Sequence, residues 1–347
     1  MSYTFAPKTL KAIEDSIEAD QGAKFRRASQ YFLPKMEDAY RGESDDHRSH
    51  FGFSNAADPC ARKLWYNFNW VMKKKFPARI LRLFNRGHLE EARFLAMLVS
   101  AGFQVHFETA EGGQFKISDH NGHAGSAIDA VVVGIPDLEP NTPALVEMKT
   151  HGEKSFKDLV KKGVMESKPI HYGQMQIYMR KYDLQWGLYM AINKNTDELH
   201  LELIVSEKAK ADRYIERAGL LIYSTEAPAR LNDSPGWYEC KFCENKKLCH
   251  QKDVPEINCR TCVYSSPIAN KEWYCDSYGV VIDKGMQLTG CKTHLFNPAL
   301  LNGAKVVKDR IEDGWYTMHW KDHRITMGMD HDEQYLTSQE LKDGKVE

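Results

Sequence analysis

The chain has 347 residues, 42% of them hydrophobic, which suffices for one large domain or two smaller ones with proper cores. Its formal net charge of −1 gives no global field toward nucleic acid or membrane, so a polyanion would have to be met by local patches. No apolar run approaches the roughly 20 residues of a membrane span, and Met1-Ser2-Tyr3-Thr4-Phe5-Ala6-Pro7 lacks the basic and apolar regions of a signal peptide, so a cytoplasmic protein with no membrane partner is expected.

In chain order, Lys11 to Tyr40 carries amphipathic helical spacing interrupted at Pro34, and Arg41 to His50 is a charged loop. A helix is predicted to begin at Cys60-Ala61-Arg62-Lys63-Leu64-Trp65-Tyr66. Lys73-Lys74-Lys75 followed by Arg79, Arg82 and Arg86 is the most concentrated basic stretch, either a solvated helix face or a phosphate contact. Gly87 to Ser100 reads as a helix ending before Gly102, then Phe103 to Phe107 and Gln114 to Ile117 as short strands. Ser126 to Gly134 and Ala144 to Thr150 are β-rich apolar runs joined by the loop Ile135 to Pro143. Pro169 opens a helix through Tyr182, Trp186 to Asn193 and Glu198 to Val205 form a hairpin about Asn195-Thr196-Asp197, and Lys208 to Ser224 is a further amphipathic helix. That order predicts an α/β fold, a mixed sheet flanked by helices.

Three residues in this core carry chemistry. Asp129 closes Gly125-Ser126-Ala127-Ile128-Asp129, while Glu147 and Lys149 stand two apart in Val146-Glu147-Met148-Lys149. Strand residues two apart share a face, so Glu147 and Lys149 should project together, beside Asp129 on the neighbouring strand. Phosphodiester hydrolysis asks for oxygen ligands to a hard dication that keeps several waters, and for a group that manages the attacking water. Asp129, Glu147 and the Met148 carbonyl would hold Mg2+ or Mn2+, and a second ion would help the leaving oxygen. Dications nearby would lower the Lys149 pKa, making it a water activator or a stabiliser of transition-state charge.

Residues 86 to 205 resemble the P-D-(D/E)-x-K nuclease superfamily in its RecB-like, lambda-exonuclease-like branch. Four pieces match in order: Gly87-His88-Leu89-Glu90-Glu91, Gly125 to Asp129, Glu147-Met148-Lys149, and Gln174-Met175-Gln176-Ile177-Tyr178. The resemblance implies a restriction-endonuclease-like fold. It makes Glu91 the carboxylate of the first helix, with Glu90 replacing it if the helical phase slips by one. His88 becomes a metal ligand, although the branch places its histidine at a somewhat different offset. Gln174 and Tyr178 would approach the active site and DNA, with Gln176 facing elsewhere. The activity implied is a Mg2+- or Mn2+-dependent DNA exonuclease, more so than an endonuclease, acting on single- or double-stranded DNA. It would serve recombination or DNA processing in a bacterium or phage, beside recombination or replication proteins. The alternative is a non-catalytic iron–sulfur module for DNA binding or assembly on the same fold. Lys154, Lys157, Lys161, Lys162 and Lys168 would line a DNA groove.

Eight cysteines in a chain without an export signal read as metal ligands before disulfides. Cys240, Cys243 and Cys249 form C-x2-C-x5-C, and Cys60 stands alone ahead of the core. A C-x2-C pair fits zinc as well as iron–sulfur. The split of one N-terminal and three C-terminal cysteines resembles the AddB-type and CRISPR-associated nucleases, which implies a 4Fe–4S cluster clamping both ends of the nuclease domain. Cys259, Cys262, Cys275 and Cys291, in C-x2-C-x12-C-x15-C spacing, suffice for a structural Zn2+ site, with His294 able to replace Cys291. The expected organisation is thus an N-terminal helical region (1–85), a nuclease core (86–230), an iron–sulfur segment (231–252), a zinc-binding-like module (253–300) and a tail (301–347). The tail, with Trp315, Trp320 and the acidic Asp330-His331-Asp332-Glu333, carries no legible motif, and its histidines read as surface residues.

Overall fold

The computed structural model describes residues 3–36, 47–73, 75–329 and 334–345. The end of the Lys11 to Tyr40 pattern, most of the Arg41 to His50 loop, Lys74 and the acidic 330–333 run lie outside the described residues.

The chain begins with β1 (Tyr3–Phe5), α1 (Pro7–Ala19), α2 (Ala23–Phe32), β2 (Phe51–Gly52), α3 (Ala61–Phe68) and α4 (Ala78–Ser100). Next come β3 (Gln104–His106), β4 (Lys116–Asp119), β5 (Ala124–Ala127), β6 (Ala130–Val133), β7 (Pro143–His151), α5 (Glu153–Ser167), α6 (Pro169–Lys181), β8 (Trp186–Asn193), β9 (Leu199–Val205) and α7 (Lys208–Ile222). Among the described residues the main sheet runs β1-β9-β8-β7-β6-β3. Only its β7–β8 pair is parallel, reached through the α5–α6 crossover. Both faces are covered, which is why β7 and β8 read as almost unbroken apolar runs. One face packs on α1, α2 and α4 through Phe94, Leu98, Val146, Met190 and Leu203. The other packs on α3, α5, α6 and α7 through Trp65, Leu159, Met175, Tyr178 and Tyr189. The expected mixed α/β architecture is present, and no helix among the described residues is long and apolar enough to cross a membrane.

Two departures from the sequence reading matter for the site. Ser126 to Gly134 is not one strand. The chain leaves the small β2-β5-β4 sheet after Ala127 and enters the main sheet at Ala130, so Ile128 and Asp129 form the crossing point. An unbroken apolar run hides such a switch, because both segments are buried on the same kind of face. The second departure is α4, which starts at Ala78 rather than Gly87, carrying Arg79, Arg82 and Arg86 on its first turns.

The remainder comprises α8 (Tyr238–Lys241), α9 (Lys246–Gln251), β10 (Ser265–Pro267), β11 (Trp273–Cys275), β12 (Val280–Ile282), α10 (Lys284–Thr289), β13 (Lys305–Arg310), β14 (Trp315–Trp320), β15 (His323–Gly328) and α11 (Ser338–Lys342). The tail left unread in the sequence is the β13-β14-β15 meander. Its Tyr316, Met318 and Trp320 share a core with Leu295, Phe296 and Leu301 from the segment before it. Arg260 fastens this half to the first. Its guanidinium donates to the carbonyls of Phe68 (3.0 Å) and Ser49 (2.8 Å) and to Gln287 Oε1 (3.0 Å), and sits 3.7 Å from the Trp70 ring centroid and 4.5 Å from that of Trp273. Burial lowers its pKa to about 9. Arg260→Ala would strand those buried acceptors and should destabilise the protein by about 3 kcal/mol or more. The expected readout is early protease cleavage near residues 47–73 or 253–290; an unchanged digestion pattern would contradict this docking role.

Candidate active site

Glu147 projects from the middle of β7 and is fully buried, at 0% exposure. Its partner is the ammonium of Lys149, two residues along the same face, with which it forms an ion pair. Asp129, at the sheet crossing, turns its carboxylate onto β7, where Oδ2 accepts from the Met148 N–H at 2.8 Å. That bond ties the two carboxylate-bearing segments together.

The electrostatics follow from this crowding. Loss of water, then the Glu147 charge beside it, raise the Asp129 carboxyl well above its ordinary 3.8, against Lys149. Burial likewise raises Glu147 from 4.5, opposed by Lys149 and the Gln174 amide. For Lys149, burial favours the neutral amine, but Glu147 and Asp129 outweigh it and its pKa rises above 10.5. Without dications the lysine is therefore held as an ammonium, the opposite direction from the one expected beside metal ions.

The helices complete the site. Glu91 on α4 raises both carboxyls, so its charge faces them, whereas Glu90 turns away, 95% buried against Arg93 at 3.1 Å. His88 lies one turn before Glu91, with Nδ1 3.7 Å from Glu91 Oε1. On α6, Gln174 is buried beside Glu147, and the Tyr178 hydroxyl bonds Ser126 Oγ while burial and the Glu147 charge raise its pKa. Gln176 is engaged elsewhere, donating to the Val205 carbonyl and accepting from the Glu207 N–H at the start of α7. Gly173 lets α6 lie close against the Ala57 segment and Tyr214 of α7, since a Cβ there would stand 2.3 Å from the Ala57 Cβ and 3.1 Å from the Tyr214 ring.

Two adjoining clefts open on the site. One, of about 460 Å3, is lined by Lys35, Met36, His88, Glu91, Phe107, Lys116, Asp129 and Met148 among others. The second, of about 290 Å3, is lined by Leu83, Phe84, Gly87, His88, Glu91, Met148, Lys149, Thr150 and Lys194. They meet at His88, Glu91 and Met148. Sequence reasoning missed Leu83 and Phe84; their place seven and eight residues before Glu91, two helical turns, was the available signal. It also missed Lys35, Lys116 and Ser126, which carry no spacing to mark them. The five lysines from Lys154 to Lys168 line neither cleft, and Lys157 and Lys162 pair with Glu153 and Asp158 along α5.

Cys60, Cys240, Cys243 and Cys249, separated by up to 189 positions in sequence, line one cavity of about 440 Å3. Lys63, Arg62 and the exposed rings of Tyr238 and Phe242 rim it. None of the eight cysteines is in a disulfide. Cys259, Cys262, Cys275 and Cys291 lie near one another: burial first, then its three neighbours, lift the Cys259 thiol to about 12. His294 does not join them, since its Nε2 lies 3.1 Å from the Asn258 carbonyl and 3.2 Å from Thr261 Oγ1. Among the described residues, no three His, Cys, Asp or Glu side chains converge tightly enough to enclose a single metal ion. Mg2+ does not require that, being held by one or two carboxylates plus water, and the adjacent Glu147 and Asp129 carboxylates suit it. The absence of a tight group holds at the cavity of Cys60, Cys240, Cys243 and Cys249 as well. The tetrahedral convergence of a zinc site is not seen at the second group.

No protein-family profile matches this chain, and no curated protein matches its sequence. Among solved structures it is similar to SSO0001, at 16% identity and a TM-score of 0.37, over 64% of this chain and 95% of that one. It is also similar to an alkaline exonuclease of Laribacter hongkongensis, at 16% identity and a TM-score of 0.36, over 50% of this chain and 86% of the enzyme. The same enzyme in complex with dAMP matches at 17% identity with the same score and coverage. These likenesses are loose.

Proposed function

We propose that the chain is a divalent-metal-dependent deoxyribonuclease. The observation that carries this is the placement of Asp129 and Lys149 on two clefts that meet at Glu91, with Glu147 buried behind them and ion-paired to Lys149. Asp129, Glu147 and Met148 would hold Mg2+ or Mn2+, with Glu91 and His88 at the rim. A bound ion would polarise the phosphate and acidify a water. Lys149, an ammonium beside Glu147 and Asp129 in the metal-free site, would place a positive charge where phosphoryl charge develops or, with its pKa lowered by dications, help activate the water. Gln174 orients Glu147, and the Tyr178–Ser126 contact fixes α6 against β5. Exonucleolytic action on DNA follows the resemblance drawn from the four motifs. The deciding experiment incubates end-labelled linear, circular and single-stranded DNA with purified protein, with and without Mg2+ or Mn2+. Metal-dependent loss of linear but not circular DNA is expected; no degradation of any form would end the proposal.

Within the same proposal, Cys60, Cys240, Cys243 and Cys249 bind a 4Fe–4S cluster that joins the two ends of the nuclease domain. Supporting this is the single cavity they share. Anaerobic preparation should yield a brown protein carrying iron and sulfide, and Cys60→Ser should lose both with a sharp fall in stability. Zinc alone, in unaltered amount after Cys60→Ser, would reject the cluster.

A further inference from the structure

We propose that the exposed N-terminal half of α4, with the segment preceding it, is a stacking surface for single-stranded DNA. The inference rests on the nuclease reading of the adjoining cleft and names the form of its substrate.

Four observations carry it. The first is charge: no Asp or Glu occurs between Asp58 and Glu90, an interval with eight Lys or Arg residues. Lys73, Lys75, Arg79, Arg82 and Arg86 are all exposed there. The second is apolar exposure in the same place: Phe76 is 44% exposed, Leu81 51%, Leu83 37% and Phe84 46%. A water-soluble helix normally turns such side chains inward, and a contiguous group of them left outside marks a binding surface. The rings of Phe76 and Phe84 meet edge to face, with centroids 5.1 Å apart, giving a paired aromatic platform.

The third observation is continuity with the site. Phe84, His88 and Glu91 stand at i, i+4 and i+7 on one helix face, and Leu83 and Phe84 line the same cleft as Met148 and Lys149. Arg86 donates to the Lys194 carbonyl at 3.1 Å, which fixes this helix against the opposite wall. Fourth, Gly87 lines the cleft, and a Cβ added there would meet nothing within 4 Å. The helix surface is therefore open where a strand would pass toward Glu91.

Cations with interleaved exposed aromatics are the chemistry of single-strand grip: phosphates are held by charge while each base lays its face on a ring, without regard to sequence. Duplex DNA keeps its bases stacked and offers only phosphates to such a surface. The geometry therefore favours an unpaired strand at the cleft mouth over a duplex.

The test measures binding without cleavage. Fluorescence anisotropy in EDTA compares a labelled single strand with a blunt duplex, using wild type, Phe84→Ala, Phe76→Ala/Phe84→Ala, Phe84→Trp and Arg79→Gln/Arg82→Gln. Single-strand affinity should fall about tenfold in Phe84→Ala and further in the double variant, and be kept by Phe84→Trp, with duplex affinity nearly unchanged. The arginine variant should lose affinity for both forms and lower the salt dependence by about 0.7 per phosphate contact on a single strand. Circular dichroism confirms folding of each variant. Wild-type single-strand affinity in the double alanine variant would overturn the proposal, as would equal losses on duplex. A dimer in light scattering that dissolves in the double alanine variant would assign the patch to a second copy instead. If Asp129→Ala still degrades DNA while Phe84→Ala loses single-strand binding, the catalytic assignment falls and this surface stands.

Discussion

Asp129→Ala and Asp129→Asn are both expected to reduce metal-dependent DNA degradation about a thousandfold or more, with the fold retained. The pair of variants separates two jobs of one carboxylate. Asp129 Oδ2 accepts from the Met148 N–H, and an asparagine oxygen can do the same, so Asp129→Asn should preserve the β6–β7 junction. Only the negative charge is lost. If charge holds a dication against phosphate, both variants are inactive although only alanine disturbs the strand junction. Asparagine should also relieve the crowding that raises the Asp129 carboxyl, leaving the metal-free protein as stable as wild type or more so. Rates on end-labelled DNA across a Mn2+ titration provide the check. Near-wild-type turnover by Asp129→Asn would show that the residue only positions β7, and the metal assignment would fail.

Much of this arrangement was legible in the residues because it depends on short-range periodicity. Glu147 and Lys149 share a face because a strand repeats every two residues, and the structure pairs them directly. Gln174 and Tyr178, one turn apart on a helix, could be placed together for the same reason. What was hidden depended on sheet membership and on distant contacts. Nothing in Ser126 to Gly134 marks the change of sheet at Ile128-Asp129, since alternation and polarity do not change there. The β14–β15 turn was missed because Lys321 and Asp322, both at positive φ, occupy positions that usually announce themselves as Asn-Gly. Arg260 looked like an ordinary cation inside a C-x2-C pair; its burial between Trp273 and Trp70 depends on the latter, 190 positions away. The basic stretch was visible, but its position beside the cleft depended on α4 beginning nine residues earlier than its apolar pattern suggested.

Lys149→Met should destabilise the metal-free protein by about 3 kcal/mol at pH 8, with much of the loss recovered on adding Mn2+. Glu147 is fully buried, and the Lys149 ammonium is the cation paired with it. Removing that cation leaves two carboxyls to share a poorly solvated site, which pushes both pKa values above their already raised positions. A carboxyl with a folded-state pKa above its unfolded one binds its proton more tightly when folded. The stability it contributes is therefore complete below the unfolded value, near 3.8 for Asp129 and 4.5 for Glu147, and fades as pH rises through the folded value. The deficit of Lys149→Met relative to wild type should be small near pH 4.5 and should widen steadily toward pH 8. A dication reverses the trend, because it needs the ionised carboxylates and binds only the folded site. Thermal melts in EDTA and in millimolar Mn2+ at several pH values test both halves of the argument. A deficit independent of pH, or one that Mn2+ leaves untouched, would mean that Lys149 serves packing alone and that no cation site lies between Asp129 and Glu147.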